Sequence, residues 1–164
     1  MKSPRKAFTL AEANALLPAL ETVLADLARA RQDLERHVEQ LKILEALWGR
    51  LVMAPTNPDH AEFLKHREGV GKAGARIRRC VEEEILGRGI RFPAGGLEHG
   101  LLDFPTTFEG RWVYLCWRRG EPRISQWHEV DAGFSGRRPI RAAEAARMGI
   151  EDDPGDVDDS MLDF

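Results

Sequence analysis

Apolar positions recur every seven residues from Pro18 onward. Leu20, Leu27, Leu34, Leu41 and Trp48 make one seam, and Leu17, Leu24, Arg31 and Val38 make the second, with Arg31 the misfit. Leu44, Leu47 and Leu51 broaden the stripe, and the residues between are largely Glu, Arg, Asp and Gln. This heptad pattern predicts an amphipathic helix from Pro18 to Val52. At about 1.5 Å per residue it would be roughly 50 Å long. A chain of this size cannot cover such a helix on all sides, so it must lie against a partner. Upstream, Thr9 and Glu12 have the spacing of a capping box and predict a short helix. That helix should break or kink at Pro18, which lacks a donor and clashes with the preceding turn.

The partner is expected within the chain. Ala54-Pro55-Thr56-Asn57-Pro58 is a turn signal, and Phe63, Val70, Ile77 and Val81 then mark a second helix to about Gly87. The product is a long antiparallel helical hairpin over residues 18–87. Gly69, Gly71 and Gly74 interrupt the second helix, each costing about 1 kcal/mol relative to alanine. Close approach of the two backbones, with leucines of the first helix filling the space, would compensate. The Gly-x-Gly-x-x-Gly spacing matches the dinucleotide fingerprint only formally, because the residues before it read as helix rather than strand.

After Phe92-Pro93 the pattern shifts to strands. Leu101 to Phe104 reads as one strand, ended by Pro105. Trp112 to Trp117 reads as a second, and Ile124 to Glu129 as the strand returning after the turn at residues 119–122. The expected fold is therefore α+β: a helical hairpin packed with a small antiparallel three-stranded sheet over residues 100–130, in one domain spanning 1–150. Residues 151–164 hold seven acids and no base, and are expected to form a disordered acidic tail.

Charge modifies this picture only modestly. The chain has 164 residues and a formal net charge of −3; without the tail, 24 basic residues face 20 acidic ones. Arg76, Arg78, Arg79, Arg88 and Arg91 could meet phosphates, but Glu82, Glu83 and Glu84 lie among them, so nucleic-acid binding is not the favoured reading. No apolar run approaches the roughly 20 residues a membrane span needs. The basic N-terminus lacks the apolar core of a signal peptide, and two Cys make no disulfide framework. The expected location is the cytoplasm.

Two segments carry a resemblance. One is Phe8 to Pro18. The other runs from Gly100-Leu101-Leu102-Asp103-Phe104-Pro105 through Leu115-Cys116-Trp117 and Gly120-Glu121 to Trp127-His128-Glu129, Gly133-Phe134 and Arg137. Together they resemble a bacterial family known as domain of unknown function 2203, over about residues 7–140. The resemblance implies no activity.

Several residues of this pattern are not required by packing alone. Asp103, Cys116, His128 and Glu129 offer carboxylate, thiolate and imidazole, the ligand types of zinc and iron sites, and are the candidate metal ligands. Side chains alternate along strands. A register pairing residues with an even sum places Cys116 with His128, and an odd sum places Cys116 with Glu129. Glu121 and Arg137 are candidate structural or ligand-binding polar residues, and Arg137 or Arg111 could neutralise Asp103 or Glu121. The bland reading is a buried Cys acting as a small hydrophobe and a hydrogen-bonded structural His.

The function expected from these features is a binding or interaction module, with a zinc or iron site in the strand region. The alternative is a small metal-dependent hydrolase using His128 and nearby carboxylates; a Cys116–His128 thiolate pair is a further catalytic option. The expected partner is another protein or a second copy of the chain, through the heptads or through the tail. Met161, Leu162 and Phe164 are the candidate docking residues of the tail, which could otherwise fold back on the protein itself.

Overall fold

A computed structural model describes residues 5–162. These residues gather into two compact units, one formed by the N-terminal segment to Glu21 with Ile85 onward, the other by Thr22–Glu84.

The second unit is the helical hairpin. Helix α1 runs Leu10–Trp48 and helix α2 runs His60–Arg78, followed by a π-helical stretch over Arg79–Ile85. Three cross-links prove the antiparallel arrangement. Arg76 pairs with Asp26, His66 meets His37, and the Trp48 indole N–H donates to Asp59 at 2.8 Å. The last of these fastens the turn, where His60 also bonds the Val52 carbonyl at 2.9 Å. α2 is continuous through its glycines, as expected, but no leucine fills the gap. A Cβ on Gly69 would fall 2.5 Å from Cδ2 of His37, so the imidazole of α1 occupies the bared backbone. Along α1, Leu24, Leu27, Ala30 and Leu44 are buried and Leu47 is two-thirds exposed, as is Leu51 in the 3-10 turn Gly49–Met53 that ends the helix short of the expected Val52.

The expected break at Pro18 is absent, and one helix extends from Leu10. The capping box does form at its start, with Glu12 N–H donating to Thr9 Oγ1 at 3.1 Å. Pro18 is exposed while Leu17 and Leu20 beside it are buried, so packing of one face holds the helix through a lost ladder bond.

The first unit is built on an antiparallel sheet in the order β1-β2-β3-β4, with β1 at Leu101–Phe108, β2 at Arg111–Arg118, β3 at Gln126–Glu129 and β4 at Arg138–Pro139. It therefore has four strands rather than three, the fourth being a two-residue return that sequence patterning cannot signal. β1 also continues past Pro105. On this edge strand Pro105 turns its backbone away from β2, and its carbonyl accepts from Phe8 N–H at 2.8 Å, so no ladder donor is missed. The rest of that edge is covered too: Arg91 exchanges both backbone bonds with Asp103, and Gly149 N–H donates to Thr107. Covering the edge removes a template for unwanted pairing.

The core of this unit contains Phe8, Leu102, Phe104, Leu115, Trp117, Ile124 and Met148, all at most 2 % exposed. The acidic segment is described as far as Leu162. Asp152 accepts from Gly110 N–H at 3.1 Å, Asp159 pairs with Arg5, and Leu162 is buried against Trp112 and Tyr114. Among the described residues no helix is long and apolar enough to cross a membrane.

Candidate functional site

The register sets up the site. Cys116 pairs with Asp103 on one side and Gln126 on the other, and Tyr114 pairs with His128. This is the even-sum register, so Asp103, Cys116, Tyr114 and His128 share one face. Because Asp103 spends its backbone groups on Arg91, it faces Cys116 as a non-hydrogen-bonded pair, in which opposed side chains lie closest. The same bridge places the Arg91 side chain beside that of Asp103. One ligand atom from each of Asp103, Cys116 and His128 lies within 4.8 Å of the others, and all three residues are completely buried.

The charged groups of this cluster hold one another in place. Asp103 Oδ2 accepts from Arg91 Nε and Nη2 at 3.3 and 3.1 Å, and Oδ1 meets His128 Nε2 at 3.1 Å. His128 Nδ1 donates to the Glu129 carbonyl at 2.7 Å, which aims Nε2 into the cluster. The Arg91 guanidinium lies 4.0 Å from the centre of the Tyr114 ring, and that ring is 5.6 Å from the His128 ring. Burial pulls the His128 pKa down, but the Asp103 carboxylate and the Glu129 carbonyl outweigh it and the net shift is upward. Burial first, and the Asp103 charge second, push the Cys116 thiol up to about 12.

The family model described as "Uncharacterized conserved protein (DUF2203)" matches residues 6–140. The chain belongs to this family. No curated protein and no solved structure matches the chain. The DUF2203 match includes Arg91, Asp103, Cys116 and His128 and stops before the acidic segment.

Of the four candidate ligands in this DUF2203 protein, the sheet unites three. Glu129 points to the opposite face, where Arg111 Nε and Nη2 hold its carboxylate at 2.9 and 2.5 Å. That hydrogen bond is the main reason its pKa falls below the usual carboxylate value. Glu121 and Arg137 form a pair of their own: Arg137 Nη2 donates to both Glu121 oxygens at 2.8 and 2.9 Å, and Glu121 Oε2 caps the turn by accepting from Arg118 N–H. Arg137 Nη2 also reaches the Cys116 carbonyl at 3.4 Å, tying this pair to the strand that carries the thiol. Met161 is exposed, Leu162 is buried on the protein's own sheet, and Phe164 lies outside the described residues.

Sequence reasoning missed Arg91 and Tyr114. Arg91 belongs to the basic group that could meet phosphates, yet its side chain is only 14 % exposed. A buried Asp between Leu102 and Phe104 does demand a cation, and that signal existed; what the sequence lacked was the edge bridge that selects Arg91.

The chemistry open to the cluster follows from its burial. With its thiol held protonated and hydrogen-bonded towards Asp103 rather than His128, Cys116 is not an activated nucleophile. Complete burial of all three residues also leaves no face for a substrate, against hydrolysis with His128 as base. What the cluster can do is hold an ion, or stand as a hydrogen-bonded Arg91–Asp103–His128 relay.

Proposed function

We propose that this DUF2203 protein is a binding module whose sheet is locked by a buried transition-metal centre, zinc or iron, on Asp103, Cys116 and His128. The observation that carries the reading is the convergence of three different ligand types within 4.8 Å, each fully buried. Two features support it further. His128 donates its other nitrogen to a backbone carbonyl, the arrangement that orients a ligating imidazole, and Arg91 holds the second oxygen of Asp103. Two anionic ligands would balance a divalent ion, leaving Arg91 as the local positive charge. Three protein ligands leave one position of a tetrahedral ion for water or a small anion.

The binding surface belongs to the hairpin. Ile43, Leu47 and Leu51 near its turn are 44–68 % exposed and follow one another at four-residue spacing, the pattern of a helical face that receives another protein or a second copy. Nucleic acid is a poorer fit, since Arg76 and Arg91 of the basic group are engaged by Asp26, Asp33 and Asp103.

Metal analysis of the untagged chain tests the centre. The expected result is about one zinc or iron per chain, lost in both His128→Ala and Cys116→Ala. A wild-type protein that is folded and metal-free, and that takes up neither ion on titration, overturns the reading.

A further inference from the structure

His37 of α1 and His66 of α2 face each other across the hairpin, with their Nδ1 atoms 2.9 Å apart and their rings tilted by 52°. Both residues are partly exposed, the His66 side chain by 14 %. Two details show that the juxtaposition is built in. The seat of the His37 ring is the backbone of α2 at Gly69, where any side chain would collide with Nε2, Cδ2 and Cε1. The other nitrogen of His66 faces Glu62, one turn earlier on α2, at 3.5 Å. A carboxylate behind an imidazole favours the tautomer protonated at Nε2, and so leaves the Nδ1 lone pair directed at His37.

We propose that His37 and His66 form a two-imidazole clamp for a tetragonal divalent ion, copper(II) before nickel(II). The geometry selects the ion. Imidazole nitrogens bind first-row ions at about 2.0–2.1 Å, so two in cis positions of a square plane stand about 2.9 Å apart, whereas tetrahedral neighbours stand about 3.4 Å apart. The observed 2.9 Å fits the square-planar edge. Without metal the same separation is bridged by one proton shared between the Nδ1 atoms. On metal binding His37 carries that proton on Nε2 instead, both Nδ1 lone pairs go to the ion, and water fills its remaining positions. This clamp shares no residue with the Asp103–Cys116–His128 group, and neither proposal depends on the other.

The test is titration of the full-length protein with copper(II) alone, read by calorimetry and by electron paramagnetic resonance. Beyond any ion taken up by the Asp103–Cys116–His128 group, one tight equivalent is expected, with axial parameters and superhyperfine splitting from two nitrogens. His37→Asn and His66→Asn should each weaken binding more than about 100-fold, and Glu62→Gln about 10-fold, the usual effect of losing an orienting partner. Gly69→Ala should weaken it as well by displacing the His37 ring, while Gly71→Ala, whose methyl would meet no atom within 4 Å, leaves it unchanged. Helical circular dichroism of each variant confirms that the hairpin is intact. Copper binding of equal strength in wild type, His37→Asn and His66→Asn overturns the proposal, as does a spectrum with one nitrogen ligand.

Discussion

Two glycines one half-turn apart on α2 should respond in opposite ways to the same substitution. Gly71 is exposed and a Cβ there would meet nothing within 4 Å, so Gly71→Ala collects the full helix-propensity gain, about 1 kcal/mol. Gly69→Ala has the same intrinsic gain, but its methyl would sit in the His37 ring. That ring must leave, and the His37–His66 bond lost with it is worth about 0.5–1.5 kcal/mol. Gly69→Ala should therefore be neutral or destabilising, trailing Gly71→Ala by about 1 kcal/mol or more. Urea unfolding followed by helical circular dichroism resolves this difference, which corresponds to roughly 2–4 °C in Tm for a protein of this size. In a His37→Ala background the obstruction is gone, and Gly69→Ala should regain its stabilising effect. Equal gains at both positions, or no recovery in that background, would refute the reasoning.

Three further predictions concern other parts of the chain. In metal-free protein, Asp103→Asn leaves the Arg91 charge without its buried partner and should cost about 3–5 kcal/mol in denaturant unfolding; a loss below about 1 kcal/mol would deny the ion pair its structural role. The Arg76 hydrogen bond holds the Asp26 pKa below the ordinary aspartate value. Its contribution is therefore fully present above that ordinary value and disappears as pH falls through the lowered one. Asp26→Asn should flatten the acid limb of hairpin stability, and an unchanged limb would contradict this. Finally, Cys116 is fully buried with its thiol raised to about 12, and Cys80 is buried and shifted upward by burial and by Asp26. With a chelator present, iodoacetamide at neutral pH should label both only as fast as the protein unfolds; labelling of native Cys116 at the rate of a free thiol would revive the nucleophile reading.

The parts of the structure that follow local rules were legible in the sequence. Heptad periodicity, a capping box and a Pro/Asn-rich turn announce a helical hairpin because each acts within a few residues. Pro18 and Pro105 were misread for the same reason in reverse. Local chemistry says that proline stops a helix or a strand, but burial of Leu17 and Leu20, and the outward-facing backbone of an edge strand, override it. Sequence patterning also extended the apolar stripe of α1 to Leu47 and Leu51, because periodicity marks a face without saying what covers it.

In the site, residue types pointed to Asp103, Cys116 and His128, while the choice between His128 and Glu129 depended on a register that the turn residues do not encode. The bonds from Trp117 and Arg118 to Glu121 fasten that turn in the folded protein. Arg91 and the His37–His66 pair were out of reach, since each arises from contacts between segments 12 and 29 residues apart that no local pattern registers.

The sheet cluster is a metal centre only if it ligates the ion through the Cys116 thiolate. X-ray absorption at the metal edge of the purified chain, loaded with zinc if necessary, reads that coordination. The predicted result is one sulfur at about 2.3 Å together with nitrogen and oxygen ligands at about 2.0–2.2 Å, the sulfur shell vanishing in Cys116→Ser. A spectrum of nitrogen and oxygen ligands alone, unchanged by Cys116→Ser, would contradict the proposed centre and leave Asp103, Cys116 and His128 as a hydrogen-bonded core.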